Sequence, residues 1–73
     1  MAEDLRLPPE IEKYHEKWRK DPTSRVFAQL ADAYRKTGML DEAIEVCVEG
    51  LKVHPSYNSA RVVLGRAYLE KGM

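Results

Sequence analysis

Apolar residues recur along this chain at intervals of three and four, the spacing of one face of an α-helix. The first such stretch runs from Pro9 to Lys20, and charged residues fill the positions between its stripe residues. The stripe consists of Ile11, Tyr14, His15 and Trp18. No stretch alternates with a period of two, which a strand would require. The pattern therefore predicts an all-α protein.

Three further stretches show the same helical spacing. The second begins near Thr23 and Ser24, the third opens at Asp41, and the fourth runs from Ser56 to Lys71. Their stripes mix small and large apolar residues: Val26, Phe27, Leu30, Ala31 and Tyr34; then Ala43, Ile44, Cys47, Gly50 and Leu51; then Ala60, Leu64, Gly65, Ala67 and Tyr68. We therefore expect about four helices in total.

Prolines and glycines mark the boundaries between these helices. Pro9 suits a first helical turn, where its missing N–H is not needed. Pro22 and Pro55 follow the first and third helices, and Gly38 and Gly72 end the second and fourth. The links are short, so successive helices should lie antiparallel.

The chain also repeats itself. A shift of 34 residues places similar residues on one another, all on the stripe or at its end: Leu30 on Leu64, Ala31 on Gly65, Ala33 on Ala67, Tyr34 on Tyr68 and Gly38 on Gly72. A shift of 33 relates the first helix to the third through Ile11 and Ile44, Glu16 and Glu49, Trp18 and Leu51, and Pro22 and Pro55. The unit is a helix–turn–helix of about 34 residues.

On these residues the chain resembles the tetratricopeptide repeat (TPR) family. The matching positions lie between Ser24 and about Ser56, and they are Phe27, Leu30, Ala31, Tyr34, Gly38, Ala43, Gly50 and Pro55. Ala31, Ala43 and Gly50 are small, as expected where two helix backbones approach closely. The resemblance implies an α-solenoid module that binds proteins or peptides and has no catalytic activity.

The repeat divides the chain into four segments. Residues 1–7 form a tail, and 8–21 form a capping helix that resembles the second helix of a repeat, with Glu10 and Lys17 where the family has small residues. Residues 22–55 form a complete repeat, and 56–73 form the first helix of a truncated one. We therefore expect either a fragment of a longer repeat protein or self-association through the unpaired stripe of Leu64, Ala67 and Tyr68.

Composition narrows the function. Twelve Lys and Arg balance 12 Asp and Glu within 73 residues, which argues against a sequence-independent grip on nucleic acid. One cysteine excludes an internal disulfide framework, and no apolar run is long enough to span a membrane. The acidic segment Met1–Asp4 does not resemble a signal peptide. The expected location is cytoplasmic.

No residue set points to catalysis, a metal or a cofactor. Cys47 lies on an apolar stripe and is interpreted as a small core residue. His15 and His54 stand too far apart, without further ligands, to predict a metal site. The aromatic residues fall mostly on core stripes rather than on a base-stacking surface. The expectation is a binding module rather than an enzyme.

The resemblance implies that the first helices of successive repeats line a concave binding face. Its residues here would be Arg25, Gln29, Asp32, Lys36, Val62, Val63 and Arg66. A TPR subclass clamps C-terminal carboxylates with Lys and Asn, but Ala28 and Asp32 occupy the corresponding places, so that clamp is not predicted.

The alternative is a nucleic-acid-binding helical domain that uses a basic cluster. Its members are Lys13, Lys17, Arg19, Lys20 and Arg25. Interleaved acidic residues dilute this cluster, so a solvated helix face is the preferred interpretation of it.

Overall fold

The computed structural model describes residues 8–72, and these residues fold into four helices without a strand. The helices are α1 (Pro9–Lys20), α2 (Val26–Lys36), α3 (Leu40–Val53) and α4 (Asn58–Lys71). The prediction of an all-α fold is confirmed. The tail predicted at residues 1–7 lies outside the described residues. Within residues 8–72, no helix is both long enough and apolar enough to cross a membrane.

The helix ends follow local sequence chemistry. Pro9 occupies the first turn of α1, and the Ser24 hydroxyl accepts a hydrogen bond from the Val26 N–H at the start of α2 (3.1 Å). Gly38 has a positive φ of 84°, and just beyond it the Met39 N–H donates to the Tyr34 carbonyl (2.9 Å). This glycine-based cap ends α2 and turns the chain toward α3.

The fourth helix begins later than the sequence predicts. The chain forms a turn after α3 in which the Tyr57 N–H donates to the His54 carbonyl (3.1 Å). Ser56 belongs to this turn, so α4 starts at Asn58. Its end at Gly72 agrees with the prediction, since Gly72 adopts the left-handed conformation (φ 88°).

The core is centred on α2, which contacts each of the other three helices. Its Phe27 is fully buried, stacks on the His54 ring (6.1 Å between centroids) and meets the Tyr57 ring edge-on (5.7 Å). Gly50 lies directly against Phe27, and a Cβ at this position would overlap the ring. Fully buried Ala31 and Ala43 complete the close approach of α2 and α3.

Two grooves lie between the helices of the molecule. α2 and α4 lie side by side, with Ala28 beside Val62 and Asp32 beside Arg66 along one groove. Each of these pairs is separated by 34 residues, so the two helices run parallel in repeat register. α1 and α3 border the second groove. We call these surfaces the α2–α4 groove and the α1–α3 groove.

Candidate functional site

The α2–α4 groove has an apolar floor and a polar rim, with a volume of about 440 Å³. Its lining residues are Ala28, Gln29, Asp32, Tyr57, Ser59, Val62, Val63 and Arg66. Ala28 and Val63 are buried and form the floor, whereas Val62 is 53% exposed. The groove therefore gathers Gln29, Asp32, Val62, Val63 and Arg66 from the set that the sequence predicted.

The other two predicted residues lie beside the groove rather than in it. The Arg25 guanidinium sits 5.6 Å from the centre of the Tyr57 ring, in the range of a cation–π contact, and faces a separate recess near His54 and Pro55. Lys36 is held at the end of α2, where its Nζ lies 3.3 Å from Asp32 Oδ2. Both cations flank the groove.

Sequence reasoning missed Arg35, which ties the two helices of the groove together. Its guanidinium donates to Asp32 Oδ1 from Nη2 (2.9 Å) and Nε (3.1 Å), and from Nη1 to Glu70 Oε2 (2.7 Å). Its side chain is only 13% exposed. The contact with Asp32 could be found from the three-residue spacing, but the contact with Glu70 spans 35 residues and exists only in the folded chain.

Tyr57 was also missed as a groove residue. It belongs to the link between α3 and α4, so helical periodicity gives no information about where its side chain lies. Packing of its ring against Phe27 holds it at the end of the groove next to Ser59.

The charge of Asp32 is already neutralised within the chain. Burial alone would raise the pKa of the Asp32 carboxyl, but hydrogen bonds from Arg35 and Lys36 outweigh it and bring this pKa below its ordinary value. The carboxylate is therefore ionised and paired at neutral pH. Within residues 8–72 no acidic group pairs with Arg66, which leaves its guanidinium available in the groove.

Only part of the stripe predicted for self-association is exposed to solvent. Ala67 is fully buried and packs inside the chain, so its side chain cannot form part of an outer contact surface in this fold. Leu64 is half-buried and packs against the core, and Tyr68 is half-buried as well. The outer face of α4 instead presents Leu69, which is 77% exposed, and Gly65, where a Cβ would meet nothing within 4 Å.

The predicted basic cluster is partly neutralised within the chain. Arg19 Nη2 and Lys20 Nζ both lie within ion-pair distance of Glu16 Oε2, at 2.5 and 3.8 Å. Arg25 lies against Tyr57 beyond the end of α1. Lys13 and Lys17 remain as exposed cations on α1.

Cys47 is a core residue, as the sequence predicted. It is fully buried, and its Sγ lies 3.6 Å from the Ala60 carbonyl oxygen. Burial, followed by the nearby Asp32 charge, raises the pKa of the Cys47 thiol to about 11. The thiol is therefore neutral at physiological pH and a poor nucleophile.

The two histidines occupy unrelated environments. His54 Nε2 lies 2.5 Å from the Thr23 carbonyl oxygen, and because a carbonyl only accepts, this nitrogen carries the proton. The contact joins the α1–α2 link to the end of α3. His15 is exposed on α1, at the edge of the α1–α3 groove.

Comparison with known families agrees with the repeat geometry. A family model described as tetratricopeptide repeat matches residues 24–69. This chain therefore belongs to the tetratricopeptide repeat family. Repeats of this family generally mediate protein–protein interaction and are typically non-catalytic. No curated protein and no solved structure matches the chain.

Proposed function

We propose that this chain binds a peptide segment or helix of another protein in the α2–α4 groove. The observation that carries the proposal is the alignment of α2 and α4 in repeat register over a buried apolar floor. A concave, mainly apolar surface with a few polar groups at its edge is typical of binding sites in proteins.

Three side chains suit this role chemically. Val62 is an exposed apolar group beside the floor, and covering it would remove apolar surface from water. Gln29 can donate and accept hydrogen bonds along a peptide backbone. Arg66 can form a bidentate pair with a carboxylate. The preferred ligand therefore combines an apolar side chain with an acidic one.

Asp32 and Lys36, which the sequence predicted to contact the ligand, are proposed here to support the groove instead. Because Asp32 pairs with both Arg35 and Lys36, these residues close the end of the groove and fix its geometry rather than contacting the ligand directly. Substituting either residue should therefore change affinity less than substituting Val62 or Arg66.

Selection of peptides from a random library tests the proposal. Bound peptides should shift the backbone amide signals of Gln29, Ser59 and Arg66, and Val62→Asp or Arg66→Glu should weaken binding by about tenfold or more. Glu12→Lys, an exposed charge change on α1, serves as the control and should leave affinity unchanged. Selected peptides that bind equally well to both groove variants would show that the site lies elsewhere.

We further propose that the outer face of α4 supports self-association. The supporting observation is the exposure of Leu69 next to Gly65, whose missing side chain lets a second backbone approach closely. Leu64 and Tyr68 border this face and would lose their remaining exposure to water in such a contact.

A further inference from the structure

The α1–α3 groove shares no lining residue with the peptide-binding groove proposed above. It has two adjoining parts of about 410 and 370 Å³, and His15, Trp18 and Glu49 border both. Glu42, Glu45, Val46 and Tyr34 complete the first part, and Arg19, Pro22 and Val53 complete the second. The groove therefore has an acidic end and an apolar end, with an aromatic ring between them.

The acidic end carries charges that the chain does not neutralise. Among residues 8–72, Glu49 pairs with Lys52 (3.1 Å), but no cation lies within ion-pair distance of Glu42 or Glu45. These three carboxylates follow one another at helical spacings of three and four residues, where like charges repel. Burial and then the Glu42 charge raise the pKa of the Tyr34 hydroxyl on the groove floor. Glu42 and Glu45 therefore leave uncompensated negative charge at this end of the groove.

Trp18 supplies a second, independent feature of the same groove. Its half-buried ring borders both parts, and its indole Nε1–H is buried without a hydrogen-bond acceptor in the described part of the chain. A buried donor without an acceptor is unfavourable. Trp18 therefore has an unused hydrogen-bond donor at the junction of the two parts of the groove.

We propose that the α1–α3 groove binds an arginine-bearing segment of another protein. Arginine fits because its planar guanidinium pairs with carboxylates and also stacks on an aromatic ring. The acidic end would take the arginine, and Pro22 and Val53 would contact an apolar side chain at the other end.

The length of the groove sets the spacing of the two side chains. Glu42 and Val53 are separated by about 16 Å along the axis of α3, at 1.5 Å per residue. An extended segment covers that distance in about five residues. The expected ligand therefore carries arginine and a large apolar residue about five positions apart.

Trp18 is the only tryptophan of the chain, so its fluorescence reports directly on this groove. The probe is a synthetic nine-residue peptide with two arginines at one end, a leucine five residues away and glycine or serine elsewhere, made in both orders. Binding of the peptide in at least one of its two orders should change Trp18 emission and shift the backbone amide signals of Glu42 and Glu45. A peptide with citrulline in place of arginine, which keeps the shape and removes the charge, should bind at least about fivefold more weakly.

The matched variants are Glu42→Gln with Glu45→Gln, and Glu10→Gln with Glu12→Gln. Both pairs remove two negative charges, but the second pair lies at exposed positions of α1 outside the groove. The first pair should weaken the arginine peptide about fivefold and change the stability of the isolated protein little, because relief of the like-charge repulsion offsets the loss of the Glu42 charge from the first turn of α3. The second pair should change affinity by less than about twofold.

Three results would overturn the proposal. They are equal binding of the citrulline peptide, an unchanged affinity in Glu42→Gln with Glu45→Gln, and the absence of both emission and amide changes at millimolar concentrations of both peptide orders. Val62→Asp should leave binding of the arginine peptide intact. The binding proposals for the two grooves can therefore be confirmed or refuted separately.

Discussion

At the scale of single residues, two glycines inside helices have opposite surroundings. Gly50 faces the Phe27 ring so closely that any side chain would overlap it, whereas a side chain on Gly65 would enter open space. Both residues lie in helix interiors, where glycine is less favourable than alanine by about 0.5 to 1 kcal/mol. The helical pattern alone does not distinguish the two positions.

The pair therefore yields a controlled prediction. Gly50→Ala should lower the free energy of unfolding by about 1 to 3 kcal/mol, because Phe27 must move from a fully packed position. Gly65→Ala should raise it by about 0.5 to 1 kcal/mol through helix propensity alone. Urea unfolding followed by circular dichroism measures both. Equal effects of the two substitutions would contradict the packing of Gly50 against Phe27.

At the scale of helices, one ionic cluster links α2 and α4. Arg35 connects Asp32 on its own helix with Glu70 on the next, and it is the least exposed charged side chain of the three. The same cluster neutralises Asp32 at the end of the α2–α4 groove. The proposed site and the packing of its two walls therefore share these residues.

The pH dependence of stability tests this cluster. Because the folded state lowers the pKa of Asp32 below its ordinary value of 3.8, its contribution is present above that pH and is lost as the pH falls through the folded value. Asp32→Asn should reduce stability at pH 7 by about 0.5 to 1 kcal/mol, since solvent screens the pair, and should flatten the loss of stability below about pH 5.

Thermal unfolding between pH 3 and 7 measures this effect. Glu12→Gln, at an exposed position of α1, is the control and should leave the profile as it is. Glu16 and Asp21 also have lowered pKa values, through hydrogen bonds with Arg19 and Thr23, so part of the acid sensitivity should persist in Asp32→Asn. If Asp32→Asn left the dependence of stability on pH unchanged, the ionic cluster would not contribute to it.

At the scale of the whole molecule, the helices differ in how completely they are covered. α2 contacts three other helices, whereas α4 contacts only α2 and α3 within the described chain. Apolar residues nevertheless lie around much of α4, including the exposed Val62 and Leu69. An apolar helix face of this kind is typical of a surface that another polypeptide covers.

Self-association through α4 predicts a mass that rises with concentration in sedimentation experiments. Leu69→Glu should abolish this rise without loss of helical content, because the side chain is already 77% exposed and its replacement costs the fold little. Val48→Glu also introduces an acidic group at an exposed apolar position, in this case on α3, and should preserve the rise in mass. A constant monomer mass at millimolar concentration would exclude the association.

The sequence by itself determined the four helices, their glycine and proline boundaries and the repeat register. These features follow from local rules, because periodicity, caps and turn residues act over a few positions. The resemblance to the tetratricopeptide repeat family in turn implied a concave face of seven residues, and five of them line the α2–α4 groove.

Only the tertiary structure decided what each helix face contacts. It buried Ala67, placed Tyr57 in the groove, joined Arg35 to Glu70 and left Glu42 and Glu45 facing Trp18 across a second groove. The physical reason is that the rotation of each helix about its axis and the conformation of each link are set by contacts between residues far apart in sequence. The helical pattern in a sequence gives only the spacing of residues along a single helix.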